Sequence, residues 1–179
     1  AKQCKPQEYI SLYRFTVSYL RDKKQVHNIL WAFSPADVKT EEEYLERYPG
    51  DEFVDIIGFD TYAGKNTPEQ INDYVSKIRT NLDIVTSLAK KHDKIPILAE
   101  TGNESISIPG FFTKVLLPVI KDYKISYVLF WRNAFRSDMR HHFYVPFDGH
   151  QEAGDFKAFT DLERILLNKD INNIYNDNF

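Results

Sequence analysis

One alternation constrains the fold more than any other feature of this chain. Four short apolar runs, HNILWAFSP (27–35), VDIIGFDTY (54–62), IPILAE (95–100) and YVLFWRN (127–133), are separated by stretches with helical spacing. Each run is bounded by turn residues and is apolar through its middle instead of alternating, the pattern of a strand covered on both faces. Between them, residues 7–23 place Tyr9, Ile10, Tyr13, Val17 and Leu20 on one helical face. Thr40 and Glu43 have capping-box spacing and start a short helix through Tyr48. Thr67-Pro68-Glu69-Gln70 opens a helix that carries Ile71, Tyr74, Val75, Ile78, Leu82, Val85 and Leu88 on one side. GFFTKVLLPVI (110–120) predicts a helix interrupted at Pro118, and residues 155–167 predict a last amphipathic helix. Strands alternating with helices imply a parallel sheet in an α/β fold. Residues 1–179 form one domain, ending in a polar tail at 169–179.

A parallel sheet gathers the side chains at the carboxyl ends of its strands onto one face, where barrels and open sheets place their sites. The polar residues of this chain fall at those ends: Asp60 and Tyr62 on the second strand, Glu100 on the third, and Trp131, Arg132 and Asn133 on the fourth. A carboxylate ending a buried run costs free energy unless something there uses its charge. Glu100 is either a structural partner of Arg132 or a nucleophile, and Asp60 either closes a turn or serves the site. Tyr62 and Trp131 have core packing as their alternative role, and mid-strand Trp31 is expected to pack. The aromatic fraction of 15% suits a large core, or faces that stack on sugar rings. With Arg and Asn donors and two carboxylates, the cluster suits carbohydrate chemistry.

Other chemistries find less support. A net charge of −3 supplies no basic stripe for nucleic acid. No run reaches membrane-spanning length, and no secretory signal pattern is present. His141 and His142 are adjacent, so they do not point together on a regular element, and no metal site is expected. No glycine-rich loop follows any strand, which argues against an open sheet holding a flavin or nucleotide, and no cofactor is expected.

The strings WAFSP, YPGDEFVDIIGFDTY, ILAETG, YVLFWRN and YVP occur in that order, followed by DF in the last helix. Together they closely resemble the C-terminal half of the family 26 glycoside hydrolases, mostly β-mannanases, over nearly the whole chain. The resemblance implies a parallel-stranded (β/α)8 TIM-barrel type of fold, of which this chain holds the C-terminal half, about four βα units. It implies that Glu100 is the nucleophile of a retaining mechanism, oriented by Tyr62, with Asp60 close by. It implies that Trp131 and Arg132 line sugar subsites, with Asn133 as a further substrate-binding donor. The family's general acid/base is a glutamate preceded by histidine at the end of the fourth barrel strand, and no His-Glu pair occurs in this sequence. The expectation is therefore the nucleophile without the proton donor, inactive alone on mannan-type polysaccharide. A non-catalytic carbohydrate-binding or inert barrel fragment is the alternative. Half a barrel leaves two strand edges and an apolar interior face unpaired, so self-association or pairing with a missing N-terminal half is expected. The family's usual setting implies a secreted, periplasmic or cell-surface location in a bacterium.

Overall fold

A computed structural model describes residues 4–134, 136–167 and 170–171. The chain runs α1 (Pro6–Ser18), β1 (Ala32–Phe33), α2 (Glu41–Leu45), β2 (Ile56–Ile57) and α3 (Pro68–His92). It continues through β3 (Ile95–Pro96), β4 (Leu98–Thr101), α4 (Leu117–Ile120), β5 (Val128–Phe130) and α5 (Ala153–Thr160). All strand pairs are parallel: β1 with β2, β2 with β3, and β4 with β5. β3 and β4 are two lengths of one run joined at Ile97, whose N–H donates to the Ile57 carbonyl at 3.0 Å. Four parallel strands therefore lie side by side in chain order, with a helical connection between each pair, as in the wall of a barrel.

The regular strands are shorter than the apolar runs, but the ladder outlasts them. Gly58 and Asp60 donate to the carbonyls of Phe33 and Pro35, and Ala63 donates to Gly102. Pro35 and Pro96 lack an N–H to donate, which interrupts regular pairing within the runs.

Helix starts follow their sequence signals. Thr40 Oγ1 accepts the Glu43 N–H at 3.2 Å, and Thr67 Oγ1 accepts the Gln70 N–H at 3.3 Å. The long α3 buries Tyr74, Ile78, Leu82, Val85 and Leu88 against Phe33, Ile57, Phe59 and Leu98 of the sheet. Asn81 is buried on the same helix and fully used: its Oδ1 accepts the Val38 N–H, while its Nδ2 donates to the Val38 and Lys77 carbonyls.

Two expectations are corrected. The break before α4 falls ahead of Pro118, not at it. Residues 111–116 form a wide π turn, with the Leu117 N–H on the Phe112 carbonyl, and Pro118 sits in the first turn of α4, where its missing N–H is harmless. The last helix spans Ala153–Thr160 instead of 155–167, starting earlier and ending in turns. The runs by themselves read as strands covered on both faces, but one face is open, as half a barrel implies: Leu30 (66% exposed), Ile95, Tyr127 and Leu129 lie on it. In a (β/α)8 barrel that second face is the interior, closed only by the remaining strands. Trp31 is half-buried against α1, lining an apolar groove with Tyr9, Leu12, Tyr13 and Val17. The polar tail expected at 169–179 lies outside the described residues except for Asp170 and Ile171.

Candidate functional site

Strand alternation decides which side chains reach the rim. On the second strand Ile57 and Phe59 face the helices, so Gly58, Asp60 and Tyr62 belong to the opposite, open face. Ser34 Oγ donates to Asp60 Oδ1 at 2.8 Å from the first strand. Asp60 bridges its neighbours on both sides, pairing with Ala36 and with Glu100.

The third strand poses a parity problem. Leu98 is wholly buried toward the helices (0% exposed), and strict alternation would send Glu100 the same way. A β-bulge prevents it. Leu98 pairs with Val128 and Thr101 with Phe130, so three steps on one strand match two on the other. The consecutive N–H groups of Ala99 and Glu100 both point at the Phe59 carbonyl, at 3.1 and 3.5 Å. The extra residue hands the helix-facing place to Thr101, whose Oγ1 lies 2.7 Å from the Tyr74 hydroxyl inside the core. Glu100 is thereby turned to the Asp60 face, where the Tyr62 hydroxyl donates to its Oε2 at 2.6 Å.

Electrostatics separate these groups. Burial pushes the Asp60 carboxyl up to about 6, the Ser34 hydrogen bond opposes the rise, and the Glu100 charge adds to it. Burial, then the hydrogen bond to Glu100 and its charge, hold the Tyr62 hydroxyl well above the ordinary tyrosine range, so it stays a donor.

The fourth strand brings Trp131 to the same end, its N–H donating to the Thr101 carbonyl at 3.2 Å. Its indole is half-buried and the following Arg132 is exposed. Asn133 is turned elsewhere: its Oδ1 accepts the N–H groups of Tyr144 and Val145, and its Nδ2 donates to the Val145 carbonyl at 2.7 Å. That amide fixes the returning loop, leaving it one Nδ2 hydrogen for any ligand.

Several residues at the rim had no role assigned from sequence. Tyr144 is 8% exposed, and its ring centroid lies 5.5 Å from that of Tyr62 and 5.4 Å from that of His142. It sits on Gly102, whose φ of +150° favours glycine and where an added Cβ would meet the Tyr144 ring at 2.6 Å. His142 Nδ1 donates to Glu104 Oε1 at 2.8 Å. Ser34 also went unread. The available signal was the YVP string, which drew attention to Tyr144 without saying what it touches. No group of three or more His, Cys, Asp or Glu among the described residues is placed to hold a metal ion, and no helix among them is long and apolar enough to cross a membrane.

Comparison with known proteins identifies the family and the fold. The profile of glycosyl hydrolase family 26 matches residues 1–115. A mannan endo-1,4-beta-mannosidase of Bifidobacterium adolescentis is 30% identical over 173 residues, which cover 89% of this chain and 17% of that protein. Among solved structures, a GH26 beta-mannanase from Bacteroides ovatus superposes with a TM-score of 0.86 at 41% identity, covering 93% of this chain and 46% of the other. A modular endo-beta-1,4-mannanase from Cellulomonas fimi gives 0.81 at 32% identity, covering 93% and 38%. The chain thus spans less than half the length of each of these relatives.

Proposed function

Because the chain belongs to glycosyl hydrolase family 26, we propose that it carries the nucleophile side of a retaining hydrolase of β-1,4-mannosidic bonds in mannan-type polysaccharides. The observation that supports this reading best is the 2.6 Å hydrogen bond from Tyr62 to Glu100 at the carboxyl-end rim of a parallel sheet. Tyr62 holds Oε2, which leaves Oε1 of Glu100 free to attack the anomeric carbon of a mannosyl unit. The bond to the leaving oxygen breaks as a general acid protonates that oxygen, giving a covalent mannosyl-enzyme. Water, deprotonated by the same group acting as base, then releases the sugar with its configuration retained. Trp131 offers an apolar face for the C–H side of a pyranose, and exposed Arg132 offers donors to hydroxyls.

The proton donor in this reading lies outside these 179 residues. No His-Glu pair occurs among them, and Glu104 is engaged with His142. Asp60 does hold a proton more firmly than an ordinary carboxyl. It neighbours Glu100 on the adjacent strand, however, instead of facing it across a bound sugar. We therefore expect no hydrolysis of β-mannan by the chain alone. A polymer of this kind is met outside the cytoplasm, so the reading includes a secreted, periplasmic or cell-surface location.

A leaving group that needs no protonation isolates the nucleophile from the missing acid. The purified chain, incubated with 2-deoxy-2-fluoro-β-mannosyl fluoride, should gain the mass of one fluoromannosyl group, mapped to the peptide containing Glu100. Glu100→Gln should gain none. Adduct formation on another carboxylate, or none at all, would overturn the assignment, and mannan binding without an adduct would favour a non-catalytic binding fragment.

A further inference from the structure

We propose that Tyr144 is a positioning residue: its ring, seated on Gly102 and packed beside Tyr62, holds the Tyr62 hydroxyl on Glu100. The inference rests on the reading above for its catalytic meaning, but its structural content stands on separate contacts.

Tyr62 is 38% exposed and lies past the regular part of its strand, where little else restrains a phenol with two rotatable bonds. Its tilted contact with Tyr144, 59° between the ring planes, closes one side of it. Tyr144 in turn is closely packed, only 8% exposed. Gly102 beneath it presents no side chain, and the ring occupies the space a Cβ would take. His142 meets the same ring edge-on at 90°.

The segment bearing these rings is fastened at three independent points. Asn133 grips the backbone of Tyr144 and Val145 from the end of the fourth strand. Ser105 donates its N–H to the Phe143 carbonyl at 2.8 Å and its hydroxyl to the His141 carbonyl at 2.5 Å. Glu104 accepts from His142. Two of the three anchors come from the loop that directly follows Glu100, so the segment is indexed to the strand carrying the nucleophile. Ser105 and Ile106 have φ values of 59° and 46°. Non-glycine residues rarely adopt this left-handed backbone, and it persists only where surrounding contacts demand it. The whole arrangement aligns a donor on one carboxylate oxygen.

The test reads the Tyr62–Glu100 hydrogen bond directly. In the full chain carrying 13C-labelled glutamate, the Glu100 Cδ resonance at neutral pH is assigned with Glu100→Gln. Its position without the hydrogen bond is defined with Tyr62→Phe. Tyr144→Ala should move the resonance most of the way to the Tyr62→Phe position, and Tyr144→Phe, which keeps the ring, should leave it in place. Tyr144→Leu, which retains apolar bulk over Gly102 but no ring, should match the alanine variant and replaces it if that variant does not fold. A Glu100 resonance unmoved in Tyr144→Ala or Tyr144→Leu overturns the positioning role, whatever the chain does to mannosyl fluorides. A resonance that moves as expected, in a chain whose Glu100 is never labelled, leaves the positioning role standing and removes the mannosidase reading.

Discussion

The bulge that aims Glu100 also buries a hydroxyl pair, and that pair reports on it. Thr101 Oγ1 and the Tyr74 hydroxyl are 2.7 Å apart, and both residues are essentially inaccessible. Thr101→Val keeps the shape of the side chain and strands the tyrosine hydroxyl, while Tyr74→Phe strands the threonine. A buried polar group left without a partner costs roughly 1–3 kcal/mol, whereas removing both partners together can be nearly neutral. Each single variant should therefore lower the urea midpoint by about 0.5–1.5 M, taking a slope of ~2 kcal/mol per M for a domain of this size. The double variant should be at least as stable as the weaker of the two single variants. Equilibrium unfolding followed by far-ultraviolet circular dichroism on the four proteins completes the cycle. Additive losses would show that the two hydroxyls do not satisfy each other. Thr101 would then not be turned toward α3, and the bulge would lose its support as the device that sends Glu100 to the rim.

Two further perturbations address the rim itself. Asp60 is held up at about 6 in the fold against a usual value of 3.8, so the folded chain binds the proton more tightly than the unfolded one. This contribution to stability is present at acidic pH and falls as pH rises from about 4 through 6. Asp60→Asn should therefore gain stability relative to wild type at pH 8 compared with pH 4, and a difference between their urea midpoints that stays flat with pH would refute the burial of that charge. Gly102→Ala forces a Cβ into the Tyr144 ring and a side chain onto a strained backbone, at a cost of about 1–3 kcal/mol. Its melting temperature should drop by roughly 2–12 °C in a domain of this size, and an unchanged value would mean that Tyr144 does not rest there.

The positions of the four strands were legible because each apolar run had to be buried and was too short to be a helix. Their lengths were overread, since regular strand stops at Phe33 and at Pro96 although the apolar runs continue. The open face carrying Leu30 and Leu129 was legible only through the half-barrel resemblance, not from the runs themselves. Apolar residues on both sides of a strand predict two buried faces, yet say nothing of whether the covering elements lie among the same residues. The convergence of Asp60, Tyr62, Glu100 and Trp131 followed from parallel topology alone. Glu100's orientation did not, because Leu98-Ala-Glu-Thr carries no local mark of the bulge; only the pairing with Val128 and Phe130 reveals the extra residue. Tyr144 was hidden for another reason. It reaches Tyr62 from an irregular segment, held by the side chains of Asn133, Ser105 and Glu104 from other parts of the chain, whose spacing in sequence does not mark the contact. Asn133 was expected at the substrate because it follows Trp131 and Arg132, but its amide is committed to the backbone at 144–145.

The place of Glu100 beside Tyr62 is set by how many residues separate Leu98 from Thr101, not by which residues they are. Substitutions at Ala99 leave that arithmetic intact, whereas losing one position here would abolish the bulge, keep the carboxylate on the open face by plain alternation, and shift it one step along the strand away from its present place beside Tyr62.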